Sequence, residues 1–335
     1  LEGQKKVVMA EELMGRICRR DFEVLTALNR FGMLSAGQIK DIYYNGAQYG
    51  YHRLRLLSRR GLVADRPLLG SGQTSQQSKR VCRKITSMYA LTAEGARLIS
   101  GQARRVKNEY LHKYFLIGEI YRQLVAEGII NPSEWLTGLE IKSQYKNILK
   151  TNTISAAILR DRPIGLYIAD SRKQKDLTAH ENSMAQGFDR HHVLIAKYPG
   201  EVRQQITNHI QPGPVTVLSF DEAAEWLGRH LRAANERRDT VKEALNKGVK
   251  ALKSKNKTLE IRPTGAVLVP AYHVTGYREF YLVEYATRNE NVLAVIRDRI
   301  KRGQDHFMVI VADDEQERIV RTVLGDSPYV KTLML

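Results

Sequence analysis

The stretch NGAQYGYHRLRLLSRRGLV, residues 45–63, decides how the chain is read. Leu54 and Leu57, at i and i+3, mark the buried stripe of a helix, with Leu56 beside them. Gly61 stops that helix, and Leu62 and Val63 open a strand. Around the apolar stripe the segment carries Arg53, Arg55, Arg59 and Arg60 and no acid. Upstream, RRDFEVLTALNRFGML (19–34) repeats Phe22, Leu25 and Leu28 at helical spacing and is closed by Gly32. Ser35 then stands three residues before Gln38, the capping-box arrangement, ahead of Ile39, Ile42 and Tyr43. A second short helix is therefore predicted over Ala36–Tyr44. Asn45 and Gly46 make the turn, and a third helix runs from Ala47 to Arg60.

Downstream, YALTAEG (89–95) reads as the end of a strand, predicted over Ile85–Leu91, followed by a Thr92 cap and a fourth helix carrying Leu98 and Ile99. Between the two strands lies GSGQTSQQSKRVCRK, a polar, Gly/Ser-rich loop with Lys79, Arg80, Arg83 and Lys84 near its end. Helix, helix, helix, strand, basic loop, strand, helix is the order of a winged helix-turn-helix, which sets one helix in the DNA major groove. On this reading Asn45, Gln48, Tyr49, His52 and Arg53 face base edges. Arg55, Arg59 and Arg60 meet phosphates, and Lys79, Arg80, Arg83 and Lys84 extend the contact from the wing.

The charge distribution agrees. Of the net +17 carried by 335 residues, +12 falls in residues 1–115, where 21 Lys and Arg face 9 Asp and Glu. So basic a segment attracts polyanions, and the expected partner is double-stranded DNA. With 43% hydrophobic and 27% charged residues the composition is that of a folded protein. No apolar run is long enough for a membrane span, and no charged-then-apolar segment opens the chain, so the expectation is a cytoplasmic protein without membrane contact. Cys18 and Cys82 are too few for a disulfide framework or a zinc cluster.

A helix is predicted over Asn108–Gly128, with Leu111, Phe115, Ile117, Ile120, Tyr121 and Leu124 on its buried side. It extends the first domain, makes a dimer interface or joins domains. Beyond Trp135 the rhythm changes to short strands and helices, and two stretches repeat one pattern: a strand hairpin, a helix, a buried strand, an amphipathic helix and a last strand. HHVLIA (191–196) and HFMVIVA (306–312) are the best-matched parts. This predicts two tandem α/β units, over Thr153–Ser219 and Leu259–Leu335. Between them Phe220–Lys253 keeps a 4-3 apolar spacing, either a coiled-coil seam for a homodimer or a helix packed on its own unit. The expected domains are 1–106 (winged helix), 107–150 (connecting helix and linker), 151–219, 220–258 (long helix and linker) and 259–335.

The winged-helix pattern, EYLHKYFLIGEIYRQL (109–124) and the C-terminal IRPTGAVLV, FYLVEYATRNE and HFMVIVA together resemble the plasmid replication-relaxation family. The resemblance covers the first third and the last 80 residues. It implies a DNA-binding protein in replication, maintenance or transfer of a plasmid or other mobile element. Beside DNA, the expected partners are a second copy of the chain, in a homodimer or higher assembly, and a replication or transfer protein. The resemblance also implies a C-terminal part similar to the restriction-endonuclease-like fold. Nucleases of that fold need an Asp, then an acid and a Lys two residues apart, to hold Mg²⁺. Here Glu284 fills one place, but Thr264 and Ala286 stand at the others; in the earlier unit Asp170 and Arg172 imitate the pair while Ser155 replaces the first Asp. Both units are read as degenerate scaffolds without catalysis, metal or cofactor. A transcriptional regulator with a ligand- or partner-sensing α/β part and a Mg²⁺-dependent nuclease are the alternatives. His180, Glu181, Asp189, His191 and His192 form a possible metal cluster, but adjacent His191 and His192 point to opposite faces of a strand. No GxxxxGK[ST] phosphate loop is present.

Overall fold

Gly32 and Ser35 set the first units of structure. In a computed structural model, which describes residues 17–46, 48–66, 87–104, 106–146, 153–161, 163–169, 174–189, 191–206, 211–236, 239–264, 270–276, 279–302 and 305–335, helix α1 (Arg19–Phe31) buries Val24, Leu25, Leu28 and Phe31 and ends at Gly32, whose φ of 81° suits glycine. The chain turns at once into strand β1 (Met33–Ser35), all of it buried. Ser35 then caps α2 (Ala36–Tyr43): its Oγ accepts Gln38 N–H at 3.2 Å and its N–H donates to Gln38 Oε1 at 2.9 Å. The capping box read from sequence is thus formed. Asn45 and Gly46, both at positive φ, turn the chain toward α3 (Tyr49–Arg59).

Strands β2 (Val63–Arg66) and β3 (Met88–Leu91) complete an antiparallel sheet in the order β1-β3-β2, with Met33 opposite Ala90 and Val63 opposite Leu91. Thr92 Oγ1 accepts Gly95 N–H at 3.0 Å and starts α4 (Ala93–Leu98). Met33 and Leu34, which follow the Gly32 stop and for which the sequence predicts no strand, pair with β3, more than fifty residues on, a partner that no local pattern reveals. After a 3₁₀ turn, α5 (Leu111–Ala126) buries all six expected apolar positions and packs on β1 and α2. Gln38 Nε2 donates to Phe115 O at 2.8 Å, and Gly118 leaves room for that amide. The helix therefore belongs to the first compact unit, which ends at Ser133.

The second unit, Glu134–Leu335, holds two five-stranded sheets. The first runs β4 (Trp135–Thr137), β5 (Ala156–Ile158), β6 (Ile164–Ala169), β7 (His191–Ala196), β8 (Val215–Ser219). The second runs β9 (Glu260–Pro263), β10 (Ala271–Thr275), β11 (Phe280–Glu284), β12 (Phe307–Val311), β13 (Val330–Met334). In each the first two pairings are antiparallel and the last two parallel. His192 lies opposite Val215 and Phe307 opposite Val330, 23 residues apart in both. The crossovers are α7 (Gln174–Met184) and α8 (Pro199–Ile206) in one half, and α11 (Glu290–Lys301) and α12 (Asp314–Leu324) in the other. The strand order is the same in the two halves, and one boundary differs from that read from sequence. The first repeat starts at Trp135, inside the stretch assigned to a linker, since a three-residue strand is too short to show alternation. A Thr137/Glu140 capping box follows it and begins α6 (Gly138–Gln144).

Residues 220–258 do not form one long helix. They give α9 (Ala223–Asn235) and α10 (Thr240–Lys255), the latter capped by Asp239. Leu245 and Leu252 of the 4-3 stripe pack on Val274, Leu282, Ile310 and Leu333, and Gly248 abuts Ile310, so the stripe is used within its own unit. The two halves meet through a buried polar set. Arg203 donates from Nε to Glu290 at 3.1 Å and from Nη2 to Val217 O at 2.7 Å. Tyr285 OH donates to the same glutamate, and Asn291 Nδ2 donates to Gln211 O and Gly213 O. In all, twelve α-helices and three sheets are described, a mixed α+β protein, and no described helix is long and apolar enough to cross a membrane.

Inside the first sheet, Asp189 accepts from Tyr167 OH at 3.1 Å and contacts His192 Nδ1 at 2.7 Å, all three being buried. Gly165 is what lets the carboxylate lie on the strand, because a Cβ there would collide with it. Both partners hold the carboxylate in place, so it has nowhere to retreat. Gly165→Ala is expected to lower stability by about 1–3 kcal/mol in urea unfolding; an unchanged midpoint would show that the network yields freely.

Candidate nucleic-acid interface

Helix α3 turns Leu54 and Leu57 into the core and sets Gly50 against Tyr44, which allows α2 and α3 to approach closely. The opposite face is exposed and contains no acid. Gln48, Tyr49, His52, Arg55 and Arg59 all lie on it, and Asn45 is exposed at the turn before it. Tyr49 is 52% accessible and stacks on His52 with centroids 6.4 Å apart. No ion pair engages Arg55 or Arg59 among the described residues. Lys40, on α2, sits 5.5 Å above the Tyr51 ring and pairs with Asp41 at 3.4 Å, a neighbour the sequence reading did not single out.

Arg53 departs from the expectation that it faces base edges. Its guanidinium turns inward to the carboxylate of Asp21, near the start of α1, through Nε at 3.1 Å and a close Nη2 contact. The arginine side chain is 11% exposed and the aspartate wholly buried. Asp21 also accepts Cys18 N–H at 2.9 Å and Tyr44 OH at 2.9 Å. Burial pushes this carboxyl up, but the bonds from Arg53, Cys18 and Tyr44 outweigh it and hold it below the ordinary carboxylate range. Arg53 adjoins Leu54, about 100° away around the helix, so it stands at the border of the buried stripe. The partner that draws it in is 32 residues distant and leaves no local signal. Arg60 is half-buried, with Nη1 shielded and no acceptor among the described residues. The wing residues Lys79, Arg80, Arg83 and Lys84 lie outside the described residues.

The surface so assembled has two parts. Neutral and aromatic groups at the start of α3 can hydrogen-bond or stack on base edges, and Arg55 and Arg59 further along can meet phosphates.

The other candidate residues do not assemble into a comparable site. Glu284, at the end of β11, points inward and accepts Thr287 N–H and Thr287 Oγ1–H, the latter at 2.9 Å. Burial raises its carboxyl to about 7 against those two bonds. Thr264 donates to Ala271 O across the β9–β10 pair, Ala286 O accepts Gln316 Nε2, and Ser155 Oγ accepts Ile168 N–H. Asp170 and Arg172 lie outside the described residues. His180 bonds Thr153, and His192 bonds Asp189. His191 contacts Thr216 at 3.0 Å and packs edge-on to Trp226 and His230. Burial holds both His191 and His230 below the usual imidazole range. Among the described residues no three His, Cys, Asp or Glu side chains are grouped to hold a metal ion. Compared with family models, curated proteins and solved structures, the chain gives no match.

Two stability measurements test this electrostatic picture. Arg53→Ala leaves Asp21 buried and unpaired and is expected to cost about 3 kcal/mol in urea unfolding at pH 7; a loss of a few tenths would mean the pair is solvated. Because the Asp21 carboxyl is held low, its contribution is full above the ordinary 3.8 and is lost as pH falls through the folded value. Glu284 acts in the opposite sense. Its folded carboxyl keeps a proton that the unfolded chain releases near 4.5, so stability falls as pH rises from there to about 7, by about 3 kcal/mol. Glu284→Gln should remove that fall. Subtracting the variant's pH profile from the wild type's cancels the opposing contribution of His191 and His230; a flat difference would show the carboxylate to be hydrated.

Proposed function

We propose that the N-terminal unit is a winged helix-turn-helix that binds double-stranded DNA, with α3 in the major groove. The observation that carries this is the acid-free exposed face of α3, where Gln48, Tyr49, His52, Arg55 and Arg59 stand together on a helix anchored from behind by Leu54, Leu57 and the Asp21–Arg53 pair. The order α1, β1, α2, α3, β2, β3 and the basic segment between β2 and β3 support it. Asn45, Gln48, Tyr49 and His52 read bases; Arg55 and Arg59 contact the backbone, and the wing adds further cations.

The resemblance to plasmid replication-relaxation proteins is the support for a role of this binding in replication, maintenance or transfer of a mobile element. In that role the two α/β halves, which the same resemblance implies to be akin to the restriction-endonuclease-like fold, serve as scaffolds for assembly. Glu284 supports a role without catalysis: its two oxygens accept from Thr287 within the fold, and Thr264 and Ala286 occupy the positions where a nuclease would carry its other acid and its lysine.

Selection from random duplexes followed by anisotropy titrations tests the proposal. Gln48→Ala and His52→Ala should each weaken the selected site by about 1–3 kcal/mol and leave random DNA unaffected. Arg55→Ala and Arg59→Ala should weaken every duplex and each reduce the salt slope by about 1. Failure of the intact protein to bind any duplex at low salt would end this reading.

A further inference from the structure

The two repeated sheets have four edge strands, and three are closed to further pairing. β4 is only three residues long and buried throughout. β8 is covered by α11, whose Asn289 accepts Val215 N–H at 3.3 Å while Asn291 bonds the preceding loop. β9 carries Glu260, Arg262 and Pro263, the charges and proline that blunt an edge. β13, which holds in the second sheet the place β8 holds in the first, has no covering helix and no proline among the described residues, and Lys331 is its one charged side chain.

Residues 329–335, YVKTLML, carry one charge. Of the five large hydrophobic side chains exposed among the described residues, three are here: Tyr329 at 40%, Met334 at 41% and Leu335 at 43%. Single exposed apolar side chains need no explanation, but three on one open strand edge do. Phe307 N–H donates to Tyr329 O and Leu335 N–H to Val311 O, so the odd-numbered residues direct their peptide groups toward β12. By alternation, the even-numbered residues direct theirs outward. Val330 N–H turns back to Ser327 O, which leaves Val330 C=O and both peptide groups of Thr332 and Met334 on the open side.

We propose that β13 pairs antiparallel with β13 of a second copy of this chain, about a two-fold axis at Thr332, joining two five-stranded sheets into one. An antiparallel self-pairing sets each residue opposite its mirror position about the axis. Centred on Thr332, it joins outward-facing residues to outward-facing residues. It brings Val330 against Met334 and Tyr329 against Leu335, and it sets Lys331 opposite Leu333. Centring on Lys331 would oppose two ammonium groups, which is destabilising. The Thr332 hydroxyl is already occupied by Glu317 of α12 at 2.7 Å, so the side chain is fixed on its own sheet and the backbone alone makes the central contact. The pairing does not depend on DNA binding and is tested without DNA.

Sedimentation equilibrium of the full chain across a dilution series is expected to show a monomer–dimer equilibrium. Met334→Pro removes an outward N–H and spares the bonds to β12, so it should give a monomer with unchanged circular dichroism and Tm. In a chain with Cys18→Ser and Cys82→Ser, Thr332→Cys should give a disulfide-linked dimer on mild oxidation, since residues paired at the axis lie within bridging distance. The cross-link carries the test should the proline variant fail to fold. A wild-type chain that stays monomeric at every concentration would overturn the proposal. So would a dimer that neither loses half its mass on Met334→Pro nor cross-links through residue 332.

Discussion

One buried carboxylate holds the N-terminal unit in register. Asp21 accepts from the Cys18 N–H at the entry of α1, from the Tyr44 hydroxyl after α2 and from the Arg53 guanidinium on α3. A carboxylate removed from water without such donors would cost several kcal/mol; with them it becomes a rigid joint among three helices. The hydrophobic contacts of Leu25, Ile39, Leu54 and Leu57 bring these helices together, but they tolerate sliding, whereas a bidentate charge pair does not. The angle at which α3 presents its outer face is therefore set from behind, by a group that never reaches the surface.

The C-terminal unit meets a different constraint: two copies of one sheet pattern have to share a chain without pairing wrongly. Both sheets run antiparallel, antiparallel, parallel, parallel, and their last crossover has the same span. What differs is the treatment of the final strand. β8 is sealed by α11, with Asn289 Oδ1 accepting from Val215 N–H and Asn291 Nδ2 donating to the loop before the strand, and the seam is locked by Arg203 with Glu290 and by Arg288 with Glu222 and Glu315. The carboxyl of Glu222 falls to about 2, since the bonds from Ser219 and Arg288 outweigh the effect of burial. A seam built from paired charges fixes one orientation of the halves, where an apolar seam would accept several.

Much of this was legible in the sequence, and the exceptions have identifiable causes. Signals confined to one turn of chain were realised: Ser35 with Gln38, Thr92 with Gly95, the Asn45–Gly46 turn and the six buried positions of α5. Each depends on atoms within a few residues of one another. β1 and β4 were missed because three residues carry no period, and only a distant partner strand makes them extended. The 4-3 stripe of 220–253 is present but broken at the Asp239 cap, and Leu245 and Leu252 spend it on their own sheet. Arg53 was assigned outward because it shares a helix with residues that do face out. Its direction is decided by Asp21, to which no local pattern points.

The inward turn of Arg53 also changes what the outer face of α3 can do. Arginine to guanine is the commonest specific base contact, and this helix withholds the arginine nearest its leading end. What remains there is Asn45, Gln48, Tyr49 and His52, while Arg55 and Arg59 lie further along; on the proposed reading the first group makes short-ranged contacts to bases and the two arginines make phosphate contacts that salt screens. On that reading, discrimination and affinity are assigned to different groups on one helix. Raising ionic strength would strip the sequence-independent attraction first and leave the geometric contacts, so the ratio of specific to non-specific binding rises as total affinity falls. Under the proposed function, selectivity depends on the rigidity of α3, which returns the requirement to the buried pair behind it.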